Sequence, residues 1–347
     1  MCNFFEGKKL AFVYNVRHKY PDPGDPRTFN EADFDDQETI NSIIKHLRNV
    51  GFTVLPIESD TKAQEIFTKE KPCIGFVLNY SEEILGSKPK IYMAQVLEKI
   101  GLPFSGCSNK TQRLIIDKGK MKKALLSKKV STLPFQVFKS PNEKLDKKLG
   151  FPLIVKPLAR GSSEGISNKS IVKSSKELVK QVKFILDTFA EPALVESYIE
   201  GREFSVGMIG NPPKILPIIE PKHEKLPKGY YHIDSLEVKW HLEEKLGEDY
   251  FSCPAKVGHK LKTKIKKLCL GAWNTLKIRD FCRIDLRMDE FGNLYILDVN
   301  SPPGLIPPEI SVTAYFPMAA RAKGYNYEKL LLKIIEIASK RYNLSIS

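Results

Sequence analysis

Residues 283–305, RIDLRMDEFGNLYILDVNSPPGL, place acids where a strand should bury hydrocarbon, and no other stretch limits the fold as much. Read at period two, Ile284, Leu286 and Met288 share one face, continued across a turn by Tyr295, Leu297 and Val299. Arg283, Asp285 and Arg287, then Ile296, Asp298 and Asn300, take the other face. The segment Asp289–Asn293 has the glycine and short polar residues of a hairpin loop. With the loop at Glu290–Asn293, Asp285 stands opposite Asp298 and Arg283 opposite Asn300. Facing carboxylates destabilise a sheet unless a cation lies between them. Two carboxylates and an amide oxygen suit a hard divalent ion, and Mg²⁺ bound this way usually holds substrate phosphates as well. A half-exposed hairpin with a solvated face is the plainer account of the pattern taken alone. Ser301-Pro302-Pro303-Gly304 then stops the strand, and the glycine permits close backbone approach to a ligand.

A chain of 347 residues exceeds what one core usually serves, so two or three domains are expected. No apolar run nears the roughly 20 residues needed to cross a bilayer, and MCNFFEGKKLAFVYNV lacks the plan of a secretion signal. Cys2, Cys73, Cys107, Cys253, Cys269 and Cys282 are scattered without CxxC spacing, which argues against a zinc site or a disulfide framework. Reduced thiols in a cytoplasmic protein, with no membrane partner, are the simplest expectation. The formal charge of +14 could mark nucleic acid, but that requires basic residues clustered with aromatics. Here the lysines are spread over amphipathic segments such as Lys260–Lys267, which favours solvated helix faces or an anionic small ligand over nucleic acid.

Residues 9–15 and 53–57 read as buried strands, with a helix over Asp36–Asn49 between them that ends at Gly51. A third strand at Ile74–Asn79 and a helix at Tyr92–Ile100 follow. Such alternation predicts a parallel, Rossmann-like sheet, although the first strand lacks a GxGxxG turn. The polar excursion Tyr20–Asp36 is long enough to be a lid, a binding loop or a disordered segment. Ser108–Lys129 reads as one helix, Leu153–Lys156 as a strand, and Ser170–Val172 as another. Next come a helix at Ser175–Thr188, strands at Ala193–Tyr198 and Glu203–Ile209, and a terminal helix at Tyr327–Arg341.

The loop Ala159-Arg160-Gly161-Ser162-Ser163-Glu164-Gly165 follows a strand that carries Lys156. Backbone N–H groups, hydroxyls and a nearby ammonium are one way to hold phosphates, though a solvent turn would have the same composition. Order along the chain adds to this. Asp117-Lys118, PLIVKPLARGSSEGIS (152–167), LVESYIEGREFSV (194–206), EVKW (237–240), CPA (253–255), the 283–305 hairpin and FPMAARAKGYNYEKLL (316–331) occur in sequence. Together with LNYSEEILGSKPKIYMAQVLEKIGLPFSG (78–106), this series resembles the ATP-grasp superfamily, more narrowly D-alanine–D-alanine ligases and related carboxylate–amine ligases.

The resemblance implies a Rossmann-like N-terminal domain over 1–106 and a two-subdomain ATP-grasp fold, 107–190 and 191–347, an α/β and α+β architecture. It implies ATP as cofactor with one or two Mg²⁺ ions, or Mn²⁺, and phosphorylation of a carboxylate to an acyl phosphate that an amine then attacks. The substrates would be amino acids or small peptides, and a homodimer is in keeping with the family. Carried over by position, Lys118, Lys156 and Lys239 contact phosphates, Ser162 and Ser163 cap the transferred phosphate, and Glu196, Ser197 and Ile199 line the adenine hinge. Glu203 binds ribose; Asp285, Asp298 and Asn300 hold metal; Arg283 and the Gly304 N–H stabilise the oxyanion. Each has a plainer alternative, from exposed lysine to edge-strand polar residue or mobile serine loop.

There are also departures. Asp298 stands where glutamate is usual, Ala314 where a serine meets the second substrate's carboxylate, and Trp240 where a tyrosine is usual. Tyr14-Asn15-Val16-Arg17 replaces the Gly-Gly/Ser/Glu signature that holds the first D-alanine. A degenerate nucleotide-binding protein without ligase activity is the alternative these changes leave open.

Overall fold

A computed structural model describes residues 4–20, 22, 25, 28, 31–87 and 90–344. Strands β1 (Lys9–Tyr14), β2 (Val54–Glu58) and β3 (Ile74–Tyr80) form the expected parallel sheet in the order β2-β1-β3. Helix α1 (Gln37–Asn49) starts where Asp36 accepts the Thr39 N–H and buries Ile40, Ile43, Ile44 and Leu47. On the other sheet face lie α2 (Ala63–Glu70) and α3 (Met93–Ile100), burying Phe67, Val96 and Leu97 with Val13 and Val77.

The stretch read as one helix at 108–129 is two, α4 (Asn109–Ile116) and α5 (Lys118–Ser127). Asp117 breaks it by leaving helical geometry (ψ 93°) and capping the Lys120 N–H, which sets Lys118 at the first turn of α5. Strands β4 (Phe135–Phe138), β5 (Leu153–Pro157), β6 (Ile171–Val172) and β7 (Ala193–Ser197) make an antiparallel sheet ordered β4-β7-β5-β6, covered by α6 (Ser175–Phe189). Because β7 pairs with β5, this sheet runs to Ser197, beyond the 190 boundary read from the sequence. Residues of α4 and α5 join the core of the following region, so that part of 107–190 packs with the C-terminal portion.

There, β8 (Glu203–Gly210), β9 (Pro213–Ile215), β12 (Phe281–Met288) and β13 (Leu294–Asn300) form a second antiparallel sheet, ordered β13-β12-β8-β9. A short ribbon, β10 (Glu220–Pro221) with β11 (Phe251–Ser252), and a π-helical turn at Val238–Leu242 leading into α7 (Glu243–Leu246) lie between β9 and β12. Helices α8 (His259–Leu276), α9 (Tyr315–Ala322) and α10 (Tyr327–Lys340) complete the chain, and α10 shares a core with α1. The adjacent strands β7 and β8 therefore belong to different sheets. Gly201 turns the chain between them at φ 139°, where a Cβ would lie 2.0 Å from the Met288 carbonyl oxygen, so no side chain fits.

In the β12–β13 hairpin the pairs Arg283–Asn300 and Asp285–Asp298 fall as expected. A bulge beyond Asp285 then shifts the register to Leu286–Ile296 and Met288–Leu294. That extra residue reverses the expected faces of one strand: Leu294 and Ile296 enter the core with Val299, while Leu297 turns to a cavity. Among the described residues no helix is long and apolar enough to cross a membrane, and Cys73, Cys107, Cys253, Cys269 and Cys282 are free thiols. Cys2 lies outside the described residues.

Candidate functional site

Two cavities meet between the sheets. The smaller, about 130 Å³, is a slot with Leu133, Ile154, Tyr198, Ile233 and Leu297 on its walls and Lys156, Glu196 and Glu203 among its polar groups. The larger cleft, about 490 Å³, reaches from Asn15, Arg17 and Glu82 of the N-terminal domain to Gly304 and Tyr315. Both are lined by Lys118, Gly161, Ser162, Lys239, Arg283, Asp298 and Asn300, which therefore surround their junction. Asp285, Ser163, Ser197 and Ile199 face the slot alone, and Gly304 the cleft alone. A Cβ on Gly304 would meet nothing within 4 Å, so protein packing does not require glycine there; room for a ligand is what its absence of a side chain leaves.

Charge in the slot is internally balanced. Glu196, with 0 % exposure, stands between Lys122 at 2.5 Å and Lys156 at 2.6 Å. Burial would raise its pKa, but the two ammoniums outweigh burial and hold the carboxyl low. Lys122 is also fully buried, donating to Thr132 Oγ1 at 2.7 Å. It escaped the sequence reading because KGKMKKALL crowds four lysines together with nothing to mark the one that points inward. Arg287 likewise pairs with Glu203 and donates to the Ile199 carbonyl at 3.1 Å and the His232 carbonyl at 2.6 Å. It thereby fastens the segment between the sheets and occupies part of Glu203's carboxylate. Its place two residues after Asp285 on the same strand face was the available clue.

At the junction Arg283 grips Asp285 through Nε at 3.0 Å and Nη2 at 2.9 Å, and Ser205 Oγ donates to the same carboxylate at 2.6 Å. Asn300 Nδ2 donates to Asp285 at 3.1 Å, which leaves its amide oxygen as the free acceptor. Lys118 donates to the Arg160 carbonyl at 2.7 Å and lies 3.4 Å from Asp298. Burial tends to raise the Asp298 pKa, and Lys118 and Lys156 together bring it below the usual carboxylate range. Asp285, Asp298 and Asn300 thus offer only hard oxygen donors with two negative charges, a set that fits a divalent ion of the Mg²⁺ type.

The loop after β5 is drawn tight: Ser162 and Ser163 have φ of 40° and 60°, and Ser163 Oγ donates to the Asp234 carbonyl. Asp33, from the described end of the Tyr20–Asp36 excursion, accepts the Gly161 N–H at 3.0 Å. The Gly161 N–H of this loop thus already donates to a carboxylate. Arg17 stacks on Trp240, 4.8 Å from the ring centre, and so joins the N-terminal domain to the π-helical turn that carries Lys239. The sequence reading had no role for Asp33, Glu82, Glu243 or Tyr315, all of which line the cleft.

A partly apolar slot, a junction of cations and hard oxygens, and a separate cleft thus lie side by side between the sheets. Residues 127–336 match the family model "D-ala D-ala ligase C-terminus", and the chain belongs to that family. An uncharacterized protein of Sinorhizobium fredii, y4sG, is 30% identical over 309 residues, covering 87% of this chain and 88% of that one. A D-alanine–D-alanine ligase of Aquifex aeolicus is 30% identical over 314 residues, covering 86% and 94%. The D-alanine–D-alanine ligase of Bacillus anthracis in complex with ATP superposes with a TM-score of 0.70 over 97% of this chain and 99% of that one, at 22% identity, a likeness of fold.

Proposed function

We propose that this protein is an ATP- and Mg²⁺-dependent carboxylate–amine ligase that works through an acyl phosphate and releases ADP and phosphate. The observation that carries the reading is the shared lining of the two cavities by Lys118, Ser162, Lys239, Arg283, Asp298 and Asn300. A nucleotide seated in the slot would present its terminal phosphate at this junction, facing whatever occupies the cleft. Lys156 and the 196–199 segment would hold the base, Glu203 the ribose, and Lys118, Lys239, Ser162 and Ser163 the phosphates. Asp285, Asp298 and Asn300 would hold Mg²⁺, which supplies charge neutralisation on the phosphates. Arg283 and the Gly304 N–H would face the oxygen that becomes negative when the amine adds, the arrangement electrostatic catalysis needs.

The substrate carboxylate attacks the terminal phosphorus and ADP leaves; the amine lone pair then attacks the carbonyl carbon and inorganic phosphate departs. Hydroxylamine intercepts an acyl phosphate as a hydroxamate. Incubation with ATP, Mg²⁺, hydroxylamine and a panel of D- and L-amino acids should yield an ATP-dependent hydroxamate from at least one carboxylate. Nucleotide binding without any hydroxamate or amide product would instead favour a degenerate nucleotide-binding protein, the reading that Ala314 and Asp298 support.

A further inference from the structure

Gly304 is exposed to the cleft between two buried neighbours, Pro303 and Leu305. Upstream, the rings of Pro302 and Pro303 restrict the chain, each fixing φ at about −65°. A glycine next to them would let the following peptide swivel freely, and its own N–H with it. What prevents that swivel lies downstream, at Leu305.

The Leu305 N–H donates to Tyr80 Oη at 2.9 Å, and the Leu305 carbonyl accepts from Tyr327 Oη. Tyr80 ends β3 and Tyr327 opens α10, so the N-terminal domain and the last helix grip one residue from opposite sides. An amide N–H can only donate, so the Tyr80 oxygen accepts it and the hydroxyl proton goes elsewhere. It goes to Asp35 Oδ2, at 2.5 Å. Burial pushes the Asp35 carboxyl up to about 6, which leaves it an ionised acceptor near neutral pH. Asp35 is itself held, bridged to Val16 and accepting the Arg17 N–H on its carbonyl at 2.8 Å. Two residues earlier Asp33 accepts the Gly161 N–H, so one short segment reaches both loops that border the junction. Any acceptor would satisfy a buried N–H; a tyrosine oriented by a carboxylate also fixes its direction.

We propose that Tyr80, oriented by Asp35, is a positioning residue that aims the Gly304 N–H at the oxygen that becomes negative when the amine adds. This rests on the ligase reading. Tyr80 acts through the Leu305 peptide, so its effect belongs to the step that forms the C–N bond, when charge develops on the carbonyl oxygen. Formation of the acyl phosphate precedes that charge and does not depend on it.

The test gives the full chain ATP, Mg²⁺ and D- and L-amino acids in pairs, and reads the two steps separately. Scrambling of ¹⁸O from the β–γ bridge of ATP into its β-phosphate reports acyl phosphate formation, and amide product, measured by mass, reports amine addition. Tyr80→Phe should lower kcat for amide by up to ~10²-fold, the scale of a small misplacement, while scrambling persists and the KM for ATP holds. Equal loss of scrambling and amide, or no loss of amide, overturns the inference and leaves the ligase reading standing. Should Tyr80→Phe not fold, Asp35 decides: Asp35→Asn keeps an acceptor for the hydroxyl and should retain most of the amide rate that Asp35→Ala loses. Equal rates in those two variants overturn the inference. Neither scrambling nor amide in the unaltered protein, with every pair, overturns the ligase reading and this inference with it.

Discussion

The slot proposed for nucleotide and the cleft proposed for substrate share a border yet treat buried charge in opposite ways. In the slot every acid has its cation: Glu196 has Lys122 and Lys156, Glu203 has Arg287, and Asp285 has Arg283. In the cleft Glu82 and Glu243 form no ion pair among the described residues; burial, reinforced by Asp33 and Glu83 for the first and by Asp234 for the second, outweighs the cations nearby and pushes each up to about 8. Charge that is neutralised within the chain is ready before any ligand arrives. An acid without an ion-pair partner keeps its proton at neutral pH, so the two halves of one site differ in how they keep charge out of the interior.

The sharpest way to break this contrast is at the junction. Asp285→Asn removes a metal-type donor and relieves the opposition with Asp298; turnover should fall by at least ~10³-fold, while loss of the Arg283 pair lowers the melting temperature as well. Steady-state phosphate release would read it, and unaltered turnover would sink the metal assignment. Lys122→Met comes next. Removing one partner of a buried ion pair costs about 3–5 kcal/mol, so denaturant unfolding should show a loss of that size. A loss below about 1 kcal/mol would mean that Lys156 alone compensates Glu196.

A pH series separates the two regions. Glu243 has a folded-state pKa of about 8 against an ordinary 4.5, so between those values the folded chain holds a proton the unfolded chain has released. Stability therefore falls as pH rises from about 4.5 to about 8, and Glu82 adds the same trend. Glu196 and Asp298, with depressed values, stabilise above their ordinary pKa values of 4.5 and 3.8 and lose that contribution below them as acid is added. Melting temperatures measured from pH 5 to 8 should decline, and Glu243→Gln should flatten the decline; a flat profile in the unaltered protein would contradict the cleft's charge state. The smallest effect is expected from Ala314→Ser, which supplies one hydroxyl to a wall of carboxylates. D-Alanine use, read from kcat/KM, should improve by less than ~10-fold, the most one added neutral hydrogen bond of about 1 kcal/mol provides.

Much of the slot and junction was legible because charge at strand period is conspicuous. Asp285 facing Asp298, and Arg283 facing Asn300, follow from alternation and a glycine-bearing turn. The bulge was hidden, since one added residue at Leu297 leaves no compositional trace, and it reversed the faces of Tyr295, Ile296 and Leu297. The parallel sheet was plain from its apolar runs, whereas the break at Asp117 needed the competition between a helical carboxylate and its own cap. The cleft was the least legible part. Glu82, Glu243 and Asp33 come from three distant segments, and a lone acid in a polar stretch reads as solvated until the fold buries it.

The most direct test of the account is phosphate release from ATP and Mg²⁺ across paired carboxylates and amines, with the condensed product identified by mass. The account predicts that one pair stimulates release well above either component alone and gives a product lighter than the pair by one water. ATP binding with no pair stimulating release, and no condensed product, would contradict it.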